Sequence, residues 1–176
     1  MTRKRTYTGN NDFHYVTFVC HGRRNLLLTP TEKQTVISVL GGLVRRSSCR
    51  VSGFVIMPNH VHAILWFQDD HDLPETMKTW KRLSSHYLKI HYENHNPEYL
   101  DYLKVKRNSR ELTPFWQRRY YDFNLGSVAK LREKLDYMHN NPVRAGIVRN
   151  AVDYKWSSAL WYYKGRSVGV PIEPGF

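Results

Sequence analysis

The sequence has few acidic residues, only two cysteines and no long apolar run. The cysteines, Cys20 and Cys49, lack the close spacing of a metal site and are too few for a disulfide scaffold, so we expect both to be reduced and structural. No apolar stretch approaches the roughly 20 residues that span a bilayer, and no hydrophobic signal region follows the basic residues 1–6. These absences argue against a membrane span and a disulfide-rich secreted domain, and we expect a cytoplasmic protein.

Basic residues are abundant where acidic ones are scarce. Lysine and arginine total 27 against 15 aspartates and glutamates, which gives a net charge of +12 and an isoelectric point near 9.8. A chain this positive usually meets a polyanion. The 12 tyrosines and 5 tryptophans fit a nucleic-acid surface, because aromatic rings stack on unpaired bases. Aromatic rings also fill protein cores, so composition favours a nucleic-acid partner without specifying it.

The residue pattern predicts the element order β-α-β-β-α-β, followed by one further helix. Thr29 to Glu32 has the residues of a capping box with proline at the first helical position, and Pro58-Asn59 is typical of a tight turn inside a β-hairpin. With no repeats and no linker, the 176 residues predict a single domain with an α+β, ferredoxin-like (RRM-like) fold, its antiparallel sheet covered by helices on one face. The predicted strands cover residues 13–20, 51–57, 60–67 and 115–122. The predicted helices cover 30 to about 45–48, 74–92 and 128–139. Outside them we expect a basic arm (1–12), a long loop (94–113) and a loose tail (165–176).

Two histidines on the third predicted strand are the first candidates for chemistry. His60 and His62 are two residues apart, so in a strand both point to one face, while the residues of the opposite face, Val61, Ala63, Leu65 and Phe67, are all apolar. Neutral imidazole is a common metal ligand. The pair is therefore either the start of a metal site or two polar residues on a half-exposed strand.

The last predicted helix offers a partner for this pair. Tyr137 and Asn141 are four residues apart and share one face at the end of the helix. If that face lies over His60 and His62, the Asn141 amide oxygen becomes a third metal ligand and the Tyr137 phenol a nucleophile for a phosphodiester. Two imidazoles suit a transition metal such as Mn²⁺, whereas Mg²⁺ prefers oxygen ligands.

Basic side chains along the rest of the chain are candidates for phosphate contacts. Those on the second predicted helix lie largely off its apolar stripe, so they form either a solvated face or a phosphate-facing one. The predicted stripe comprises Met77, Trp80, Leu83, Tyr87 and Ile90. The candidate DNA-binding residues are Arg23, Arg24, Lys78, Lys81, Arg82, Arg118, Arg119 and Tyr120.

Four blocks of the sequence resemble motifs of the single-tyrosine HUH transposases of the IS200-like superfamily. Pro58-Asn59-His60-Val61-His62 is similar to their HUH motif of histidine, hydrophobic residue and histidine. Residues 136–146 (DYMHNNPVRAG) resemble the signature "Y-I-H-x-N-P-V-x-A-G" of the REP-associated branch (RAYT). Residues 116–120 and 153–158 look like two further blocks of that branch, so the resemblance covers roughly residues 10–165.

This resemblance implies a bacterial DNA-strand transferase that cuts and rejoins single-stranded DNA beside an imperfect palindromic, REP-like hairpin. It assigns His60, His62 and Asn141 to a Mg²⁺ or Mn²⁺ ion and Tyr137 to a 5′-phosphotyrosine intermediate with a free 3′-hydroxyl leaving group. We also expect a nucleoid-associated protein, and the oligomeric state stays open between a monomer and a homodimer. Two alternatives remain: a hairpin-binding module of ferredoxin-like fold without chemistry, and a metal-dependent hydrolase that uses activated water.

Overall fold

The structure is a computed structural model that describes residues 13–67 and 73–175, so the predicted basic arm (1–12) lies outside the described residues. None of the helices in these two ranges has the length and apolarity to cross a membrane. Its strands are β1 (His14–Val19), β2 (Cys49–Ile56), β3 (His60–Phe67), β4 (Val105–Arg107), β5 (Arg110–Leu112) and β6 (Tyr121–Asn124). Its α-helices are α1 (Pro30–Arg46), α2 (Leu73–His95), α3 (Pro97–Tyr102), α4 (Val128–His139), α5 (Asn141–Arg144) and α6 (Ala159–Lys164).

Four strands form the main sheet, in the order β2-β3-β1-β6, and all neighbouring pairs are antiparallel. This order, with α1 after β1 and α2 after β3, is the predicted ferredoxin-like arrangement. The predicted capping box is present at the start of α1, where the Thr29 amide donates to the Glu32 carboxylate at 2.7 Å. The predicted fold class is confirmed.

The alternation of β3 divides the interior into two layers. Val61, Ala63 and Leu65 are fully buried in the larger core, which also contains the apolar faces of α1 and α2. Ile64 belongs to a second, smaller core that includes Leu131 and other apolar residues of α4. Because alternate strand residues face opposite sides, β3 places His60 and His62 on the α4 side of the sheet.

Close packing brings α4 down onto the sheet at a glycine of β2. A β-carbon added at Gly53 would lie 2.5 Å from Cδ2 of Leu135 and 2.6 Å from Cε of Met138, both on α4. The missing side chain therefore allows the helix to approach the strand backbone. This contact sets the distance between the sheet and α4, the helix that carries Tyr137.

Three local predictions were wrong. The segment 94–113 is not a loop, since it contains α3 and the paired strands β4 and β5. The fourth strand of the sheet is β6 rather than 115–122, because the chain touches the sheet edge at an isolated bridge between Cys20 and Trp116 and pairs regularly only from Tyr121. The segment 165–176 is not loose between residues 168 and 173, which pack on the core.

The buried stripe of α2 also differs from the predicted one. Its first members, Met77 and Trp80, are buried as predicted, but Tyr87 and Ile90 are 51% and 40% exposed. After Trp80 the buried positions advance in steps of four to Ser84, Leu88 and Tyr92. The stripe therefore turns away from the predicted residues as the helix proceeds. Both cysteines are buried and free, as predicted.

Candidate active site

Two hydroxyl groups on β1 hold the ring of His62. The register of β1 against β3 pairs Thr17 with His62, and Tyr15 lies two residues earlier on the same face. The His62 Nδ1 atom lies 2.8 Å from the Tyr15 hydroxyl oxygen and 2.7 Å from the Thr17 hydroxyl oxygen. With Nδ1 engaged in this way, Nε2 is the ring nitrogen that remains for a metal or phosphate ligand.

A neighbouring amide holds His60 in a similar way. The His60 Nδ1–H donates to Oδ1 of Asn59 at 2.6 Å, which leaves Nε2 with its lone pair. Nδ2 of Asn141 lies 3.5 Å from this Nε2. The rings of His60 and His62 lie 4.7 Å apart between centroids and are inclined by 76°. The two strand histidines and the helix amide therefore meet at one point.

The surroundings keep both imidazoles neutral. Burial, reinforced by the neighbouring His60, lowers the pKa of His62 to about 3. Burial and the nearby Arg23 charge also lower the pKa of His60. Burial raises the pKa of the Tyr15 hydroxyl, so this group stays protonated beside His62. Neutral imidazole is the form that ligates a metal.

Tyr137 lies at the open edge of this cluster. Its side chain is 40% exposed, and its ring contacts the ring of His62 edge-on with 6.0 Å between centroids. Asn140 keeps a helical backbone between α4 and α5, so the i to i+4 relation carries from Tyr137 to Asn141. One helical connection thus delivers the phenol and the amide to the imidazole pair.

Two cations flank the Tyr137 ring. The guanidinium carbon of Arg144 lies 4.8 Å from the ring centroid, and the Lys134 ammonium nitrogen lies 5.6 Å from it. Lys134 also contacts Glu133 at 3.3 Å. Two cations beside an exposed phenol can attract an anion such as a phosphate.

The donor set fits a divalent cation that is completed by other ligands. Among the described residues there is no group of three or more His, Cys, Asp or Glu side chains that could hold a metal ion, so a cation here depends on two imidazoles and an amide. Rotating the Asn141 carboxamide by half a turn exchanges its nitrogen for its oxygen toward the pair. Three protein ligands leave positions for phosphate oxygens and water.

The candidate DNA-binding residues have different surroundings. Arg23, Arg118 and Arg119 are exposed, and Arg23 lies close enough to influence His60. Lys81 is engaged instead, since its Nζ donates to the main-chain oxygens of Gln117 and Arg118. The others have mixed settings: Lys78 pairs with Glu75, Arg24 stacks on Tyr102, Arg82 is exposed and Tyr120 packs against the larger core.

Several residues of the site carried no role in the sequence interpretation. Tyr15 and Thr17 were read only as members of a strand, although a hydroxyl pair two residues apart shares a strand face. Arg144 lies inside the signature segment, where its spacing of seven from Tyr137 is two helical turns. His139, in the last turn of α4, is buried and its Nε2 lies 2.8 Å from the Ser158 hydroxyl oxygen, so its role is structural.

Comparison with known proteins gives the same family as the motifs. A family model described as "Transposase IS200 like" matches residues 9–141. The chain therefore belongs to the IS200-like transposase family, as its motifs predict. Three known proteins that are similar to this chain are each named or described as a REP-associated tyrosine transposase.

The curated relatives are bacterial proteins of low but extended identity. A protein of Haemophilus influenzae, provisionally named a REP-associated tyrosine transposase, is 27% identical over 103 residues. That match covers 58% of this chain and 54% of the relative, so it spans about half the relative's length. The REP-associated tyrosine transposase of Escherichia coli is 21% identical over 158 residues, which is 90% of this chain and 82% of that protein.

A solved structure has the same fold. It is described as a REP-associated tyrosine transposase bound to a REP hairpin, and it superposes with a TM-score of 0.71 at 20% sequence identity. The superposition covers 100% of this chain and 94% of the other. The ferredoxin-like core, the extra helix α4 and the following segments therefore form one shared architecture.

Proposed function

We propose that this protein cleaves and rejoins single-stranded DNA at REP-like hairpins through a covalent bond to Tyr137. The observation that carries the proposal is the position of an exposed phenol edge-on to His62 and close to Arg144 and Lys134. A nucleophile for a phosphodiester needs access to the substrate and positive charge around the phosphate. The Tyr137 side chain meets both requirements.

The proposed step breaks one phosphodiester bond for each phosphotyrosine bond that it forms. The Tyr137 oxygen attacks the phosphorus of the scissile phosphodiester and loses its proton, while the bond from phosphorus to the 3′ oxygen breaks. The departing 3′ oxygen takes up a proton, and the new bond is a 5′-phosphotyrosine. Attack of a 3′-hydroxyl on this phosphotyrosine reverses the step and rejoins DNA, so no external energy source is needed.

His60, His62 and Asn141 are the residues that would hold a divalent cation. Mg²⁺ or Mn²⁺ held by these residues would supply positive charge to the phosphate. The contribution of the chain is to keep both imidazoles neutral and to fix their rings through Asn59, Tyr15 and Thr17. The exposed arginines Arg23, Arg118 and Arg119 are proposed to contact the phosphate backbone.

Support for a hairpin substrate comes from the relatives. The E. coli relative is named a REP-associated transposase, and the structural neighbour is described as bound to a REP hairpin. The positive net charge of this chain fits such a partner. The nucleoid is the proposed place of action, and the proposed working unit is a monomer or homodimer.

A covalent-adduct assay tests the proposal. Hairpin oligonucleotides with labelled flanking strands are incubated with the protein and Mn²⁺ or Mg²⁺, and the products are separated on a denaturing gel. We expect a labelled protein band with wild type and with Tyr87→Phe, an exposed tyrosine on α2, and no such band with Tyr137→Phe. Cleavage without an adduct, retained in Tyr137→Phe, would favour hydrolysis by activated water, and hairpin binding without cleavage would favour a binding module.

A further inference from the structure

Strands β4 and β5 form a ribbon, residues 105–112, that is separate from the main sheet. Among the residues that the structure describes, its two strands pair only with each other, in the register that joins Val105 to Leu112 and Arg107 to Arg110. All of its residues are exposed except Val105, which is half-buried. A two-stranded ribbon is marginally stable in water when no third strand or helix covers a face. A ribbon with two open faces therefore presents a surface rather than building a core.

The charges at the tip of this ribbon are unfavourable within the chain. Arg107 and Arg110 are directly opposite each other, and like charges in that relation destabilise a strand pair. Within residues 13–67 and 73–175, neither arginine has an ion pair. Glu111, the acidic residue of the ribbon, contacts Lys104 at 3.2 Å. The arginine pair is thus available to an anionic partner outside the described chain.

The turn holds these arginines at a fixed spacing. Asn108 and Ser109 connect the strands with φ angles of 47° and 60°, both in the left-handed region. A two-residue turn with positive φ at both positions matches the twist of the flanking strands and fixes their register. The guanidinium groups are therefore carried on a short, preorganised support.

The helix that precedes the ribbon contacts the loop next to the candidate active site. It follows directly after α3, whose Tyr102 ring lies 4.9 Å from the guanidinium carbon of Arg24. The adjacent main-chain oxygen of Arg23 accepts a hydrogen bond from Asn59, the residue that holds His60. A continuous path of contacts thus joins the ribbon to the imidazole pair.

We propose that the β4–β5 ribbon docks in the major groove of the double-stranded stem of the DNA substrate. Arg107 and Arg110 contact the stem while the region of His60 and Tyr137 holds the adjoining unpaired strand. The major groove of B-form DNA, about 12 Å wide, admits a two-stranded β-ribbon. Arginine suits this contact because its planar fork binds phosphates and guanine edges with two hydrogen bonds. This inference rests on the proposed hairpin substrate.

The same chemistry argues against a duplex RNA partner. The major groove of A-form RNA is deep and narrow, so a ribbon does not enter it. An RNA hairpin of identical sequence is therefore expected to bind without help from Arg107 and Arg110. This difference gives the proposal a sharp test.

The experiment compares three oligonucleotides and two charge-matched variants. The oligonucleotides are a DNA hairpin with its flanking strand, a DNA of the same length without pairing, and the RNA version of the hairpin. The test variant is Arg107→Gln with Arg110→Gln, and the control is Arg45→Gln with Arg46→Gln. The control pair lies in the last turn of α1, near the start of β2 and so at the end of the sheet remote from His60.

We expect the ribbon variant to bind the DNA hairpin about 10-fold or more weakly, with a salt-dependence slope smaller by about 2. Its affinity for unpaired DNA and for the RNA hairpin should stay within about 2-fold of wild type, because neither oligonucleotide has a B-form stem for the two arginines to contact. Adduct formation at saturating hairpin DNA should be unchanged. Matched thermal unfolding curves for all variants confirm that these exposed substitutions leave the fold intact.

Several outcomes would overturn the inference. Equal losses on hairpin, unpaired DNA and RNA would make the ribbon a general phosphate contact, and a loss no larger than that of the control would remove it from the interface. Hairpin affinity equal to that for unpaired DNA in the wild-type protein would also overturn it. Absence of any adduct in wild type, with the hairpin-specific loss still present, would refute the proposed chemistry and leave the docking intact.

Discussion

The guanidinium carbon of Arg144 lies 4.8 Å from the centre of the Tyr137 ring, although the two residues belong to different helices. The short connection through Asn140 keeps both on one side of α4 and α5. Because Tyr137 is exposed, its phenol needs a neighbour that restricts its position and attracts a phosphate. Arg144 lies over the Tyr137 ring and has the geometry for both tasks.

Replacement of Arg144 by glutamine is predicted to slow covalent-adduct formation by roughly 100-fold, the scale seen when one preorganised donor to a developing oxyanion is lost. Hairpin affinity should change little, because one charge among many supplies a small part of backbone binding. Single-turnover rates at saturating DNA measure the effect. Arg149→Gln, an exposed arginine a few residues further on, is the control and should retain the wild-type rate.

His60 and His62 are predicted to be required for DNA cleavage but not for hairpin binding. His60→Ala or His62→Ala should abolish cleavage and leave hairpin affinity within about 3-fold, since affinity rests on basic and aromatic surface. A metal chelator should reproduce the loss of cleavage in wild type, and added Mn²⁺ should restore it. His86→Ala, on the exposed surface of α2, serves as control. Equal loss of binding and cleavage in a folded His62 variant would contradict this separation.

The Tyr15 and Thr17 hydroxyls on β1 are predicted to raise the affinity of the site for a metal ion by orienting the His62 ring. Removing both hydroxyls, in Tyr15→Phe with Thr17→Val, should weaken Mn²⁺ binding roughly 10–100-fold, as expected when the partners that orient a histidine ligand are lost. Calorimetric titration of the protein with Mn²⁺ measures this directly. Thr35→Val, which removes a hydroxyl bonded within α1, should not affect the titration. An unchanged Mn²⁺ affinity in the double variant would separate Tyr15 and Thr17 from the metal site.

Protonation of His139 is predicted to limit stability in acid. Burial lowers the pKa of this histidine to about 4, below its ordinary value of 6.5. The unfolded chain binds this proton at a higher pH than the folded one, so the stability contribution is complete above pH 6.5 and is lost as pH falls toward 4. A shift of this size corresponds to about 3 kcal/mol for the one group.

Denaturant unfolding in chelating buffer between pH 7 and 4 tests this effect. His139→Gln keeps a polar side chain near the Ser158 hydroxyl but cannot titrate, so its stability should fall less steeply over this range than that of wild type. Parallel curves for the two proteins would show that His139 is not the controlling group. The buried His62 contributes in the same direction in both proteins and cancels in the comparison.

Much of the fold was accessible from the sequence because its signals are local. The alternation along β3, the capping box of α1 and the apolar face of α4 are each encoded within a few residues. The same holds for the i to i+4 relation of Tyr137 and Asn141. The structure brings these residues to His60 and His62, and their catalytic and metal-binding roles stay predictions.

The features that sequence reasoning missed depend on long-range relations or short elements. The support of His62 by Tyr15 and Thr17 requires the register between β1 and β3, which no local pattern gives. The ribbon of three-residue strands is too short and too charged to show a hydrophobic period. The segment after Gly165 attaches through a few apolar side chains, of which Val168, Val170 and Ile172 are buried.

The most direct test of the central claim is to locate the bond between protein and DNA. Wild-type protein trapped on a hairpin substrate is digested with protease and nuclease, and the modified peptide is sequenced by mass spectrometry. The account predicts a nucleotide attached through a 5′-phosphate to Tyr137 and to no other tyrosine. A nucleotide on Tyr120, Tyr121 or Tyr154, with Tyr137 unmodified, would contradict it.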